Sequence, residues 1–214
     1  CVVTGRVNER RSPVDGADYA IGFEMRLPLA WNGRFFHQVN GGIDGVVQPA
    51  IGRLLGGAPR DSALNRGYAV ISSDAGHDGK QNPWFGLDPQ ARLDYGYNAV
   101  ATLTPMAKAM IRTAYGKPPD RSYIAGCSNG GRHAMVAAAR FPDQYDGFLA
   151  GNPGFNLPKA ALAQMAGAQQ YAKVSRIGAG GLPDITTAVA PAEFGLLSRQ
   201  ILARCDALDG IVDG

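Results

Sequence analysis

The sequence has few cysteines, few histidines and no long apolar run, and each scarcity excludes a class of protein. Its 214 residues include 3 histidines and 3 cysteines, Cys1, Cys127 and Cys205. The cysteines form neither a Cys-x-x-Cys pair nor a Cys/His zinc spacing, which argues against a zinc cluster. No stretch reaches the ~18 apolar residues that span a bilayer, and no basic run accompanies the net charge of +3. We therefore expect neither a membrane nor a nucleic acid as partner.

The remaining composition is that of a globular protein, with 45% apolar and 18% charged residues. Both ends of the sequence look cut. A cysteine is the first residue, and the last seven residues, 208–214, form an acidic, motif-like loop. Three is also an odd number of cysteines, so at least one has no partner within the chain. We predict that the sequence is an internal piece of a longer protein.

Strands and helices alternate along the first three quarters of the chain. Period-2 alternation or short apolar runs predict strands, and apolar spacings of three and four predict helices. The helix over 94–115 should end at Gly116, and Pro105 should kink it or remove one hydrogen bond. Alternating strands and helices predict an α/β fold whose mostly parallel sheet has helices on both faces. The predicted strands are 20–27, 34–39, 68–73, 121–126 and 147–150, and the helices are 94–115 and 130–140.

The composition changes near Pro158. An alanine- and glutamine-rich helical stretch follows over 158–173, then another helical run over 191–204, and no β-rich segment returns. We interpret 1–157 as a partial core domain and 158–214 as the beginning of a lid domain.

The segment Gly126-Cys127-Ser128-Asn129-Gly130 follows a predicted buried strand and opens a predicted helix. This is the G-x-S-x-G pattern of a nucleophile elbow in its strand-turn-helix context. We predict that Ser128 is the nucleophile and that the Asn129 amide donates one half of an oxyanion hole. The glycine loop with Gly41 and Gly42 follows an earlier strand and would supply the other half. The alternative is that Ser128 is only a helix N-cap.

A nucleophilic serine needs a base. In proteins with this elbow the base is a histidine that follows the serine in the chain. His133 alone follows Ser128, five residues later and roughly 140° around the same helix, so it cannot easily accept the serine proton. His37 and His77 precede the serine, and His77 also suits a tight turn as an ordinary polar residue. We predict that the base and its acid lie outside this sequence.

These motifs resemble the tannase/feruloyl esterase family of α/β-hydrolases. The resemblance covers nearly the whole chain and rests on segments longer and rarer than a generic hydrolase motif. It implies a serine esterase, secreted or periplasmic, that splits small esters of feruloyl, galloyl or terephthalate type through an acyl-enzyme. The oligomeric state stays open. The segments are 27–35, 40–42, 73–77, 94–97, 126–132 and 141–147.

The resemblance also implies roles for the cysteines. In the family the cysteine beside the nucleophile, here Cys127, pairs with one beside the catalytic histidine. Cys205 would pair with a cysteine shortly after the end of this sequence, and Cys1 with one before its start. Without the resemblance, Cys127 would be read as core filling.

The acidic end resembles the calcium loop in the lid of the same family. Asp206, Asp209 and Asp213 would supply carboxylates and Ile211 a backbone carbonyl to one Ca²⁺, with the last carbonyl beyond Gly214. The alternative is a solvated acidic loop.

Two other functions stay open. The chain could be a non-catalytic scaffold, because it lacks the triad acid and histidine. The G-x-S-x-G pattern alone is also compatible with a lipase or a peptidase of similar fold.

Overall fold

The computed structural model describes residues 1–53 and 61–213. Its main element is a six-stranded sheet with the strand order β1-β2-β4-β3-β5-β6. Strands β3 to β6 run parallel to one another, whereas β1 and β2 pair antiparallel. The strands are β1 (Val2–Arg11), β2 (Asp18–Arg26), β3 (Arg34–Gln38), β4 (Ala69–Ser73), β5 (Arg121–Cys127) and β6 (Gly147–Gly151). The mostly parallel sheet of the α/β prediction is confirmed.

Among the described residues, four α-helices coincide with predicted helical stretches, and the short first α-helix was not predicted. The helices are α1 (Pro89–Leu93), α2 (Ala99–Tyr115), α3 (Asn129–Arg140), α4 (Leu157–Ala172) and α5 (Pro191–Cys205). Helix α2 buries Leu103 and Ile111 in one apolar cluster with the sheet residues Phe35, Ile71 and Ile124. In the register of the sheet these three strand residues share a face. Ala137 of α3 joins the same cluster, so both helices pack on that face.

The two ends of α2 have local causes. Gly116 terminates it with a left-handed φ of 76°, and its N–H donates to Arg112 O at 2.9 Å. The helix continues through Pro105, which has no N–H to donate to the preceding turn. Residues Asp94–Asn98, predicted as its first turn, form a π-helical turn instead. Such wide turns free backbone carbonyls for other partners.

The chain divides into two compact units, Cys1–Phe155 and Asn156 onward. The predicted boundary at 157 lies close to this division. The second unit contains α4, α5 and two short paired strands, β7 (Arg176–Ile177) and β8 (Pro183–Asp184). That this unit begins a lid stays a prediction. None of the described helices combines the length and hydropathy that a bilayer-crossing segment needs.

Candidate active site

Ser128 occupies a sharp turn between β5 and α3. Its backbone has φ 59° and ψ −119°, a combination that residues other than glycine rarely adopt. Ser128 N donates to Gly151 O at 2.9 Å, and Ser128 O accepts from Arg132 N and Gly154 N, each at 3.1 Å. These bonds hold the strained residue at the carboxyl end of β5, where the sheet presents it to a ligand.

The glycines around Ser128 are required by backbone packing. A Cβ on Gly126 or on Gly130 would lie 2.4 Å from Val39 O, at the point where β3 ends. A Cβ on Gly131 would lie 2.5 Å from Gly151 O. A side chain at any of these positions would push β5 or α3 away from its neighbour, so the motif sets how closely the elbow approaches the sheet.

The side chain of Ser128 does not cap α3. Ser128 stands at the N-cap position, yet its hydroxyl accepts no capping hydrogen bond from the helix. A serine selected as a cap would use that hydroxyl to satisfy a free amide of the first turn. The geometry therefore favours the elbow over the capping alternative.

The predicted oxyanion loop lies beside the elbow. Asn40 fixes its first residue by donating from Nδ2 to Ser72 Oγ and to Ser73 O, both at 3.0 Å. The Cβ position of Gly41 is 3.9 Å from Ser128 Cβ, and Gly42 follows with a φ of 69°. Gly41, Gly42, Cys127 and Ser128 all line one cavity of about 620 Å³, together with Gln48 and Arg53.

None of the three histidines hydrogen-bonds to Ser128. His37 is fully buried, bonds to Thr104 and Tyr145 through Nδ1, and has its pKa lowered to about 3 by burial. His77 stacks on Phe85 and bonds to the Asn82 side chain. That the base lies outside this sequence therefore stays a prediction.

His133 instead meets a residue that the sequence analysis did not single out. Its Nε2 lies 2.9 Å from Asp44 Oδ2, and both side chains are buried. Asp44 follows Gly42 by two residues, so this contact joins the Gly41-Gly42 loop to α3. No sequence pattern links the partners, because 89 residues separate them along the chain.

The three cysteines carry free thiols. Cys127 is half-buried beside Ser128, while Cys1 and Cys205 are exposed. The predicted pairing of each with a cysteine outside the sequence stays a prediction.

The residues of the predicted calcium loop do not converge on a common centre. Asp206 and Asp209 lie on a single 3₁₀ turn, and Asp206 Oδ1 accepts from Asp213 N at 3.3 Å. Asp209 Oδ1 accepts from the amide of Ile211 at 3.0 Å. Within residues 1–53 and 61–213 no three acidic, histidine or cysteine side chains are grouped to hold a metal ion. The described residues thus do not by themselves form a Ca²⁺ site, and the site, which the resemblance completes with a ligand beyond Gly214, stays a prediction.

A family model, described as tannase and feruloyl esterase, matches residues 1–214. The chain belongs to this family. Over its full length it is 44% identical to a mono(2-hydroxyethyl) terephthalate hydrolase from Piscinibacter sakaiensis, of which it covers 37%. It also resembles the crystal structures of an esterase and of feruloyl esterase B from Aspergillus oryzae.

Both crystal structures are 26% identical in sequence to the chain, with TM-scores of 0.76 and 0.72. The match covers 100% and 99% of this chain, and 38% and 37% of theirs. This similarity confirms the α/β-hydrolase fold. The chain thus spans little more than a third of each of these relatives.

Proposed function

We propose that the protein carrying this chain is a serine carboxylic ester hydrolase acting on esters of aromatic acids. The observation that carries the proposal is the backbone of Ser128, held at φ 59° between β5 and α3 with its hydroxyl unused by the helix. Strain of this kind persists where the surrounding bonds determine it, and it is concentrated at functional sites.

The proposed reaction has two steps. Ser128 Oγ forms a bond to the ester carbonyl carbon while its proton passes to a base from outside the chain. The carbonyl oxygen becomes an anion, to which the backbone amides of Asn129 and of the Gly41-Gly42 loop donate. Collapse of this intermediate breaks the ester C–O bond, and the alcohol leaves with the proton. Water then releases the acid from Ser128 and restores the hydroxyl.

The names of the similar proteins support the substrate class. They are a hydrolase of a terephthalate monoester and a feruloyl esterase, and both names specify an ester of an aromatic acid. The cavity beside Ser128, about 620 Å³, is large enough for a small aromatic ester. Secretion or export to the periplasm and a Ca²⁺ in the lid remain predictions from the resemblance.

The test is Ser128→Ala in the natural protein that carries this chain. With the nucleophile removed, kcat on methyl ferulate or on a terephthalate monoester should fall by at least about 10³-fold. Ser198→Ala, at an exposed serine of α5, is the matched control and should leave kcat unchanged. Retained turnover in Ser128→Ala would reject the nucleophile and with it the proposal.

A second candidate, a non-catalytic scaffold, is favoured by the histidine contacts, since each imidazole is engaged away from Ser128. It predicts that the natural protein has no esterase activity and that a fluorophosphonate does not label Ser128. Rapid labelling of that serine would exclude it.

A further inference from the structure

A buried polar cluster lies behind the elbow, where α3 meets the oxyanion loop and the π-helical turn. Its members are Asp44, Tyr95, Asn129, Arg132 and His133. The side chains of Asp44 and His133 are 2% and 3% exposed. A buried carboxylate is costly unless it is paired and hydrogen-bonded, so such a cluster is fixed in one arrangement.

Asp44 is held from two successive turns of α3. Asn129 Nδ2 donates to Asp44 Oδ2 at 2.6 Å, and His133 Nε2 lies 2.9 Å from the same oxygen. Asn129 is the first residue of α3 and directly follows Ser128. The carboxylate therefore joins the loop that carries Gly41 and Gly42 to the helix that carries the nucleophile.

The cluster also orients the Asn129 amide. Its Oδ1 accepts from Arg132 Nε at 2.7 Å and from Tyr95 OH at 3.0 Å, which leaves Nδ2 to point at Asp44. The Arg132 guanidinium donates further to the carbonyls of Tyr95 and Gly96 in the π-helical turn, both at 3.2 Å. Arg132 thus fixes the Asn129 amide, whose Nδ2 donates to Asp44, and His133 contacts the same carboxylate oxygen.

The loop is anchored elsewhere to the sheet and to a turn. Gly45 N donates to Asp74 O at 3.0 Å, and Gly45 O accepts from Gly79 N at 2.7 Å. These bonds fix the far end of the loop, and Asn40 fixes the near end. Neither end touches α3 through these bonds. Backbone packing of Val39 against Gly126 and Gly130 fixes the start of the loop on α3, and the Asp44 side chain bonds its later part to the same helix. The position of the glycine amides between these two points accordingly depends in part on the contact from Asp44.

We propose that Asp44 is a positioning residue, which through His133 and Asn129 holds the Gly41-Gly42 loop in register with Ser128. The inference rests on the proposed function. Oxyanion donors act on charge that develops only in the transition state, so a displaced loop lowers kcat and leaves KM nearly unchanged. A displacement of about 1 Å can cost on the order of 10²-fold in rate.

The test uses Asp44→Gly in the natural protein that carries this chain. Asp44 has a φ of 57°, and glycine keeps that conformation while removing the carboxylate. We expect kcat for an aromatic ester to fall by about 30-fold or more, with KM changed by less than about threefold. Asp44→Asn retains an acceptor oxygen and also tolerates this φ, so its kcat should stay within about fivefold of wild type.

The matched control is Asp88→Gly. Asp88 is likewise buried and paired, with Arg10 at 2.6 Å, and its carboxylate accepts from Ala91 N at the start of α1. Its loss should lower Tm at least as much as Asp44→Gly does, yet leave kcat unchanged. Equal kcat in the two glycine variants, or a raised KM with unchanged kcat in Asp44→Gly, would overturn the inference.

A second pair of variants, both at His133, covers the case in which Asp44→Gly does not fold. His133→Gln keeps a donor near the Nε2 position and should retain kcat, whereas His133→Leu should lose it. Equal kcat in these two variants would also overturn the inference. Ser128→Ala, measured alongside, separates the two proposals: activity that survives it rejects the proposed function, and activity that needs Ser128 but not Asp44 rejects the positioning role alone.

Discussion

The two units of the chain differ in how far they bury their apolar side chains. In the first unit, Ile21, Leu103 and Ile124 are fully buried in a cluster shared by the sheet, α2 and α3. In the second, neither α4 nor α5 buries a residue, and Leu162 and Phe194 remain 65% and 53% exposed. The helices of the second unit therefore form without a core among the described residues. Stability in this chain should come almost entirely from the first unit.

Truncating one leucine in each unit tests this comparison with the largest expected effect. Leu103→Ala removes a side chain that is 0% exposed and should cost about 2–5 kcal/mol of unfolding free energy. Leu162→Ala, at a position 65% exposed, should change it by less than about 0.5 kcal/mol. Urea denaturation of the chain followed by circular dichroism gives both values. Comparable losses would show that α4 packs on a core.

Asp74 extends the comparison to pH, because burial in the first unit also disfavours the charged form of a carboxyl group. Burial raises the pKa of Asp74 from its ordinary 3.8 to about 6, although Oδ1 accepts from the amides of Gly22 and Gly76. The folded state therefore retains this proton over a pH range in which the unfolded chain loses it. Stability from this group is complete below about pH 4 and is lost as pH rises to about 6.

Asp74→Asn should remove that pH dependence. Its amide oxygen can accept from the same two amides, because both use Oδ1. The stability lost between pH 4 and pH 7 should then be smaller than in wild type, by on the order of 2 kcal/mol. Urea titrations at a series of pH values measure the difference. Parallel profiles for the two proteins would show that Asp74 ionises as freely when folded as when unfolded.

Two glycine substitutions, one in each unit, should have smaller effects on stability, and these effects should be opposite in sign. A Cβ on Gly130 would lie 2.4 Å from Val39 O, so Gly130→Ala should destabilise by about 1–3 kcal/mol. Nothing lies within 4 Å of a Cβ on Gly167 in α4. Gly167→Ala should therefore stabilise by about 0.5–1 kcal/mol, since alanine is the better helix former. A shift of the same sign in both variants, measured as Tm, would contradict the contrast.

Local patterns in the sequence predicted most elements of the first unit. Strands β2 to β6 and helix α3 lie within one or two residues of their predicted bounds. Strand β1 was missed, because its register with β2 shifts between Val7 and Arg10 and Asn8 has a φ of 56°. That irregularity breaks the alternation by which a strand is recognised. The π-helical turn at Asp94 was read as ordinary helix, since both have similar apolar spacings.

The candidate site was predicted only where it is contiguous in sequence. Ser128 and its glycines belong to one short motif, and the Gly41-Gly42 loop follows a strand. Asp44 and His133 meet across the fold, and Asp44 precedes a glycine in a segment that reads as an ordinary turn. A contact of this kind is set by how the sheet brings β3 and β5 together, which no local pattern records.

The carbonyl of Val39 has a consequence for how such chains evolve. Backbone atoms, above all that oxygen, leave no room for side chains at Gly126 and Gly130. The hydroxyl of the serine between them is not the cause. A descendant that lost its serine, and its activity, would still be under selection to keep both glycines in order to fold. The glycines of the motif therefore indicate the fold, whereas the serine alone indicates the chemistry.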